Sequence, residues 1–248
     1  MPNIPRVQLF ITCIIDSLFP QVGEAVATVL ERLGVEVEFP AEQTCCGQPG
    51  YNAGFRPEAR DLALRFIDVF EKSPAPIVTP SGSCAAMIIH GYPDLLRDDP
   101  ANLKRAEAVA ARTYEFSQFL VEALGVDPAI VGAASKFTGK ATFHTACHLT
   151  RGLGQGAAGQ ALLAAVPGAE VVPLPRADTC CGFGGLFAVK HGEVSSAMLD
   201  NKLANVRATG AEALVSCDMS CLMHLEGGLR RDQAPVRCLH LAEVLAQG

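Results

Sequence analysis

Residues 179–185 read Thr-Cys-Cys-Gly-Phe-Gly-Gly, and residues 44–50 read Thr-Cys-Cys-Gly-Gln-Pro-Gly. The same vicinal cysteine pair therefore occurs twice, 135 positions apart, each time in a stretch rich in glycine. Self-similarity at a fixed offset is the sequence signature of a duplicated structural unit. It predicts a chain of two similar halves.

Single cysteines flank each pair at matching distances. Between Cys13 and the first pair lie 31 residues, and between Cys147 and the second pair lie 32. Cys84 follows the first pair after 37 residues, and Cys221 follows the second after 39. Two spaced sets of four thiols indicate two sulfur-ligated metal sites, one in each half.

Apolar periodicity predicts an α/β fold in which both halves repeat one order of elements. We expect strands over 7–11, 35–39 and 77–78, and again over 141–145, 170–174 and 213–216. We expect helices over 22–33, 57–70 and 102–124, and again over 160–166, 193–207 and 239–245. With 125–139 as the link, the predicted domains are 1–125 and 136–248.

The predicted strands explain the cysteine spacing. In each half, the first three strands end just before a cysteine or the cysteine pair, and open parallel sheets bind ligands beyond the carboxyl ends of their strands. We therefore expect two pseudo-symmetric halves, each a small parallel sheet flanked by helices, with the cysteines at the carboxyl edge. Helices that begin after these loops would direct backbone N–H groups towards an anionic centre.

Composition narrows the class of protein. Of the 248 residues, 49% are hydrophobic and 19% are charged, which is enough for well-buried cores. A net charge of −6 without a run of Lys or Arg argues against nucleic acid and anionic membranes as partners. The apolar run over 9–18 contains Asp16 and lacks a basic region before it, so we predict neither a signal peptide nor membrane insertion.

These expectations place the chain in the cytoplasm. Ten cysteines in a reducing compartment bind metal or perform redox chemistry more often than they form disulfides. Four thiolates suit zinc or an iron–sulfur cluster, and a thiol–disulfide site is a further alternative. Structural zinc sites usually take thiols from close Cys-x₂₋₄-Cys pairs, which this spacing does not resemble.

The cysteine pattern resembles that of the cysteine-rich CCG-domain family. The resemblance also rests on Ala53-Gly54, Ala59-Arg60 and the stretches 180–199, 216–229 and 240–245. That family includes a subunit of heterodisulfide reductase and the iron–sulfur subunit of glycolate oxidase. The finer resemblance is to lactate-utilisation protein A, and it covers essentially the whole chain.

The resemblance implies a cytosolic iron–sulfur subunit that transfers electrons in a three-component complex oxidising L-lactate to pyruvate. Such an oxidoreductase subunit would be inactive without the other subunits of the complex. The implied metal ligands are eight cysteines: Cys13, Cys45, Cys46, Cys84, Cys147, Cys180, Cys181 and Cys221. Two alternatives stay open, namely a heterodisulfide-reductase-like thiol/disulfide reductase and a zinc-stabilised assembly subunit without a redox role.

One departure from the family pattern bears on the cofactor. The heterodisulfide reductase form ends each cysteine set with Cys-x-x-Cys, whereas this chain has Met87 and His224 at those positions. Four thiols per half favour a 4Fe–4S cluster over a five-cysteine cluster, with one or two clusters per chain. Members of the wider family also carry zinc in one half, so zinc remains an alternative there.

Several residues near the second set have no chemical counterpart in the first. His144, His148, Arg151 and His224 occupy positions where the first half has Phe10, Ile14, Ser17 and Met87. They predict a more basic second site, where these groups either meet a substrate or proton, or donate hydrogen bonds to cluster sulfurs. Cys217 stands where the first half has Pro80 and is interpreted as an extra ligand or a buried structural thiol, and Cys238 is interpreted as structural.

Overall fold

The computed structural model describes residues 6–248 and contains two parallel β-sheets of four strands each. The first sheet has the order β2-β1-β3-β4, and the second has the order β6-β5-β7-β8. The strands are β1 (Arg6–Leu9), β2 (Glu36–Glu38), β3 (Ile77–Thr79), β4 (Thr113–Glu115), β5 (Gly139–His144), β6 (Ala169–Val172), β7 (Ala213–Ser216) and β8 (Arg237–His240). The α/β fold with two similar halves is confirmed.

Helices connect and flank the strands. They are α1 (Cys13–Leu18), α2 (Pro20–Arg32), α3 (Gln48–Asn52), α4 (Arg56–Phe70), α5 (Gly82–Ala86), α6 (Tyr92–Leu96), α7 (Pro100–Ala110), α8 (Phe116–Gln118), α9 (Pro128–Ala133), α10 (Ala157–Ala164), α11 (Leu186–Lys190), α12 (Gly192–Ala208), α13 (Met219–Arg231) and α14 (Leu241–Ala246). Three π-helical turns adjoin them, at Met87–Gly91, Phe119–Ala123 and His148–Gly152. Within residues 6–248, no helix combines the length and apolar character that crossing a membrane requires.

The six predicted strands are confirmed, but the predicted helix over 102–124 is wrong. Helix α7 ends at Ala110, strand β4 follows, and Glu115 then caps α8 by accepting hydrogen bonds from the backbone N–H groups of Ser117 and Gln118. Three residues are too few to show strand periodicity, although Thr113 and Tyr114 are residue types that favour strands.

One further expectation near a helix end needs correction, and the predicted link contains a helix of its own. The closing helix begins at Leu241 rather than at 239, because residues up to His240 belong to the unpredicted strand β8. The predicted link over 125–139 contains α9, which packs tightly on the second half. A Cβ added at Gly132 would lie 2.3 Å from the carbonyl oxygen of Ala165, so this helix is docked rather than a free connection.

The two halves exchange their closing helices. Helix α14, at the end of the second half, packs against α2 of the first, while α8 of the first half packs against α10 of the second. The guanidinium of Arg32 on α2 donates hydrogen bonds of 3.2 Å to the carbonyl oxygens of Leu245 and Ala246. One large hydrophobic core consequently includes residues from both sheets.

A smaller core belongs to the first half alone and covers the other face of its sheet. Its centre is aromatic, with the Phe10 ring 4.8 Å from that of Phe66 and 5.6 Å from that of Phe70. The Phe66 ring also lies 5.5 Å from that of Tyr92. These edge-on contacts bury large apolar area directly behind the first cysteine set.

Candidate metal centre

The carboxyl ends of three strands deliver the thiols in each half. In the first half, Cys13 begins α1 after β1, the Cys45-Cys46 pair lies in the loop after β2, and Cys84 lies in α5 after β3. The second half repeats this arrangement with Cys147, the Cys180-Cys181 pair and Cys221. As predicted, the cysteines of both halves lie at the carboxyl edge of their sheet. Metal ligation by these residues stays a prediction.

Within each half the sulfur atoms converge. The Sγ atoms of Cys13 and Cys45 are 3.6 Å apart, and those of Cys46 and Cys84 are 3.2 Å apart. In the second half the Sγ atoms of Cys181 and Cys221 are also 3.2 Å apart. Thiols at these separations can ligate a common centre.

The thiols in each set share negative charge unequally. The hydrogen bond from the Cys13 thiol lowers the pKa of Cys45, and the bond from the Cys147 thiol lowers that of Cys180. The pKa values of Cys13 and Cys147 are raised, first because each donates the corresponding hydrogen bond and then because of burial. Each set is therefore an anionic pocket that a cationic centre would stabilise.

The glycine of the repeated Cys-Cys-Gly motif has a geometric role. Gly47 and Gly182 adopt φ values of +84° and +94°, which residues with a side chain rarely adopt. At Gly182, a Cβ would lie 2.7 Å from the carbonyl oxygen of Ser195. The turn also directs each glycine N–H to the sulfur two residues earlier, at 3.4 Å from Cys45 Sγ and from Cys180 Sγ.

Both cysteine sets line one cavity of about 160 Å³ between the halves. Each of the eight predicted ligands contributes to its wall, which is mostly apolar. The sequence predicted one site per half but gave no indication that the two sites face each other, because the relative placement of the halves depends on the exchanged helices.

Equivalent loops meet near this cavity. Ser81 and Asp218 occupy matching positions in the two halves and form an isolated antiparallel bridge. The Asp218 carboxylate accepts hydrogen bonds from the Ser83 N–H at 2.9 Å and from the Ser81 hydroxyl at 3.2 Å. These buried contacts fix the first turn of α5, which carries Cys84, against the first turn of α13, which carries Cys221.

The second cysteine set lies against polar groups where the first lies against apolar ones. His144 replaces Phe10 and is 1% exposed, and burial lowers its pKa to about 4, so the ring is neutral near pH 7. Lys202 on α12 replaces Phe66 on α4, and its Nζ donates hydrogen bonds of 3.1 Å to two backbone carbonyl oxygens, those of Arg176 and Ala177. Burial lowers its pKa.

The remaining basic residues lie closer to the cavity or the surface. His148 lines the cavity, with Nδ1 3.7 Å from Cys147 Sγ. His224 replaces Met87, and its Nε2 lies 3.4 Å from the Ser195 hydroxyl. The prediction of a more basic second site included His144 and His224 but missed Lys202. Lys202 is equivalent to Phe66 only in the superposition of α12 on α4.

The two extra cysteines lie apart from the cavity wall. The Cys217 thiol is fully buried, with its Sγ 3.8 Å from the Ser117 hydroxyl, and burial raises its pKa well above the usual value. It packs so closely on α10 that a Cβ at Gly159 would lie 2.9 Å from its sulfur. Cys238 lies on β8, where burial raises its pKa to about 12. These surroundings agree with a structural role for both thiols.

The donor sets fit a sulfur-ligated metal centre. Sulfur separations of 3.2–3.6 Å are close to the edge of a tetrahedron around one ion, roughly 3.8 Å for metal–sulfur bonds near 2.3 Å. A multi-iron cluster needs the sulfurs further apart, and the adjoining cavity offers space for that. Thiolates, backbone N–H donors and a partly enclosed apolar wall are all features that such a cluster uses.

Comparison with known proteins assigns the family. The chain matches the CCG family, described as a cysteine-rich domain, over residues 7–89 and again over 141–226. It is 49% identical over 246 residues to lactate utilization protein A of Exiguobacterium sp. (strain ATCC BAA-1283 / AT1b), covering 99% of this chain and 98% of that protein. It is 47% identical over 240 residues to lactate utilization protein A of Bacillus pumilus (strain SAFR-032), covering 97% and 98%.

A solved structure shares the fold. The crystal structure of a hypothetical protein from Helicobacter pylori superimposes with a TM-score of 0.61 at 10% identity, covering 98% of this chain and 49% of that one. The duplicated cysteine motif, the two equivalent sheets and the full-length similarity to its relatives lead to one conclusion: the chain belongs to the lactate utilization protein A family, within the cysteine-rich CCG-domain family.

Proposed function

We propose that the chain is an iron–sulfur electron-transfer subunit of a complex that oxidises L-lactate to pyruvate. The observation that carries this proposal is the convergence of eight thiols, in two equivalent sets, on one partly enclosed cavity. The relatives' name, lactate utilization protein A, supports the choice of substrate for the complex.

The proposed ligands are Cys13, Cys45, Cys46 and Cys84 in one half, and Cys147, Cys180, Cys181 and Cys221 in the other. A bound 4Fe–4S cluster supplies one-electron transfer. The chain's own contribution is to hold the thiolates, to direct the Gly47 and Gly182 N–H groups at sulfur, and to limit water at the site. One or two clusters per chain are consistent with the proposal, and zinc in one half is the alternative.

The proposal assigns lactate chemistry to partner subunits. Removing a hydride equivalent from a 2-hydroxy acid requires a cofactor suited to two-electron chemistry, whereas a cluster passes single electrons. We therefore expect the pure chain not to oxidise lactate, and to be reduced by lactate only in the presence of the other subunits. The cytoplasmic location and the domain limits 1–125 and 136–248 stay predictions.

Anaerobic purification tests the proposal. Iron and acid-labile sulfide should be present in cluster stoichiometry, and broad visible absorption should bleach with dithionite. Zinc without iron would replace the electron-transfer function by a structural one. Lactate-dependent dye reduction by the pure chain, at the rate of the whole complex, would contradict the assignment of that chemistry to partners.

The cavity favours a second candidate function, a thiol/disulfide reductase. Both cysteine sets border it, and a small disulfide entering it would meet both centres. Turnover of a small disulfide by the isolated, cluster-containing chain would support this alternative. Its absence, together with reduction by the lactate-oxidising partners, would support electron transfer.

A further inference from the structure

His144 is the last residue of β5 and lies behind the second cysteine set. Its side chain is 1% exposed, yet among residues 6–248 neither Nδ1 nor Nε2 has a hydrogen-bond partner. Leaving a buried polar group unpaired costs folding free energy, and such groups in native proteins almost always have a partner. Two orphaned nitrogens on one buried ring therefore indicate that the ring serves something other than the protein's own polar groups.

Two sulfurs lie within reach of this ring. A ring nitrogen of His144, the Cys181 Sγ and the Cys221 Sγ all lie within 4.8 Å of one another. Ligand atoms around one tetrahedral ion are separated by roughly 3.3–3.8 Å, so small side-chain adjustments bring all three onto one centre. Neutral imidazole and thiolate together form a common donor set for zinc and for iron.

We propose that His144 is a direct metal ligand of the second half, acting beside Cys181 and Cys221. The inference rests on the proposed function only in requiring that this half binds a metal, whether as a single ion or as a cluster. Because a tetrahedral ion takes four ligands, one further position remains for Cys147 or Cys180.

The equivalent position in the first half supplies no such donor. It is occupied by Phe10, whose ring is fully buried among Phe66 and Phe70 and cannot bind a metal. The two halves therefore differ in donor chemistry: the first is an all-sulfur site, and the second is a mixed sulfur–nitrogen site.

Cadmium binding to the full chain tests this assignment without relying on the native metal or on activity. The metal-free chain, with its histidines labelled with ¹⁵N in the ring, is loaded anaerobically with ¹¹³Cd²⁺ alone. We expect two bound cadmium ions per chain, one of which shows a one-bond coupling to ¹⁵N. His144→Phe, which copies the first half, should abolish that coupling and leave the other resonance unchanged.

Matched variants identify the histidine. His224→Met also copies the first half and His148→Ile removes the ring next to Cys147, and both should retain the coupling. Two bound ions without any ¹⁵N coupling in the unmutated chain would overturn the His144 assignment, as would a coupling that survives His144→Phe. Because the first result needs no variant, misfolding of His144→Phe would not leave the proposal untested. If the unmutated chain bound only one ion, without ¹⁵N coupling, and Cys84→Ser no longer bound it, both this inference and the proposed metal site of the second half would be overturned.

Discussion

The two halves hold their thiols on nearly the same scaffold but support them with opposite chemistry. Behind the first set lie Phe10 and Phe66, whose rings pack edge to face at 4.8 Å. Behind the second set lie His144 and Lys202, both buried. The strand ends and the Cys-Cys-Gly turn fix where the thiols are, whereas the residues behind them determine the polarity that the thiols experience.

This difference gives the two halves different roles. The residues behind the first cysteine set add more to stability, and those behind the second set change the charge around the thiols. Buried aromatic rings contribute more folding free energy than a hydrogen-bonded buried ammonium group does, and an unpaired buried imidazole reduces it. A cation near an anionic centre stabilises its more negative state, so we expect a cluster in the second half to be reduced more readily than one in the first.

The largest effect should come from removing one thiol of either set. Cys84→Ser and Cys221→Ser should each remove about half of the bound metal, because each variant lacks one proposed ligand of its half. Cys217→Ser is the matched control and should retain full metal content, since its thiol packs against α10. Metal counted per chain after anaerobic purification provides the measurement. Loss of metal in Cys217→Ser but not in Cys221→Ser would show that the ligand set is wrong.

Stability should depend strongly on the aromatic cluster of the first half. Phe66→Ala should lower the free energy of unfolding of the metal-free chain by about 3–5 kcal/mol, because it opens a cavity among buried rings. Guanidinium denaturation followed by circular dichroism measures the loss. A decrease below 1 kcal/mol would mean that this core does not stabilise the first half.

A buried carboxyl of the first half should make stability depend on pH. Burial raises the pKa of Glu115 to about 7, while its equivalent in the second half is His240, which caps α14. Below the ordinary carboxyl pKa the proton is bound in both the folded and the unfolded chain, and the full stability contribution is present. As pH rises through 4.5 towards 7, the unfolded chain loses its proton before the folded chain does. The free energy of unfolding therefore falls by about 3 kcal/mol in total and is constant above pH 7.

Glu115→Gln isolates this contribution. Its unfolding free energy, measured in the metal-free chain at pH 5 and pH 8, should lack the decrease seen in the unmutated protein. An identical pH dependence in both proteins would assign the decrease to other groups.

The smallest effect should be the loss of the buried lysine. Lys202→Met leaves the carbonyl oxygens of Arg176 and Ala177 without their donor but also removes a buried charge. We expect a cost of about 1–3 kcal/mol, less than that of Phe66→Ala. Redox titration of the cluster-containing variant should also show a lower potential for one cluster. If Lys202→Met destabilised the chain as much as Phe66→Ala does, or more, the aromatic residues of the first half would not contribute more to stability than Lys202 of the second.

The sequence was most informative where chemistry repeats at a fixed spacing. The eight cysteines and the strands that end before them could be predicted, because parallel strands place their carboxyl ends at one edge. Strands β4 and β8 were missed because each is short and directly adjoins a helix, so the predicted helices over 102–124 and 239–245 extended into them. Lys202 was missed because it resembles part of a polar helix face, although Leu199, Leu203 and Val206 place it on the buried side at helical spacing. The shared cavity depends on contacts between distant segments that no local pattern reports.

The exchange of closing helices also has a consequence for synthesis of the chain. When α2 leaves the ribosome, the segment that will cover it, residues 241–246, lies some 200 residues downstream. At typical elongation rates, that separation corresponds to roughly ten to forty seconds. Throughout that interval the nascent first half exposes the face of α2 on which α14 will later pack. The newly made chain should therefore be a client of ribosome-associated chaperones until its final helix emerges.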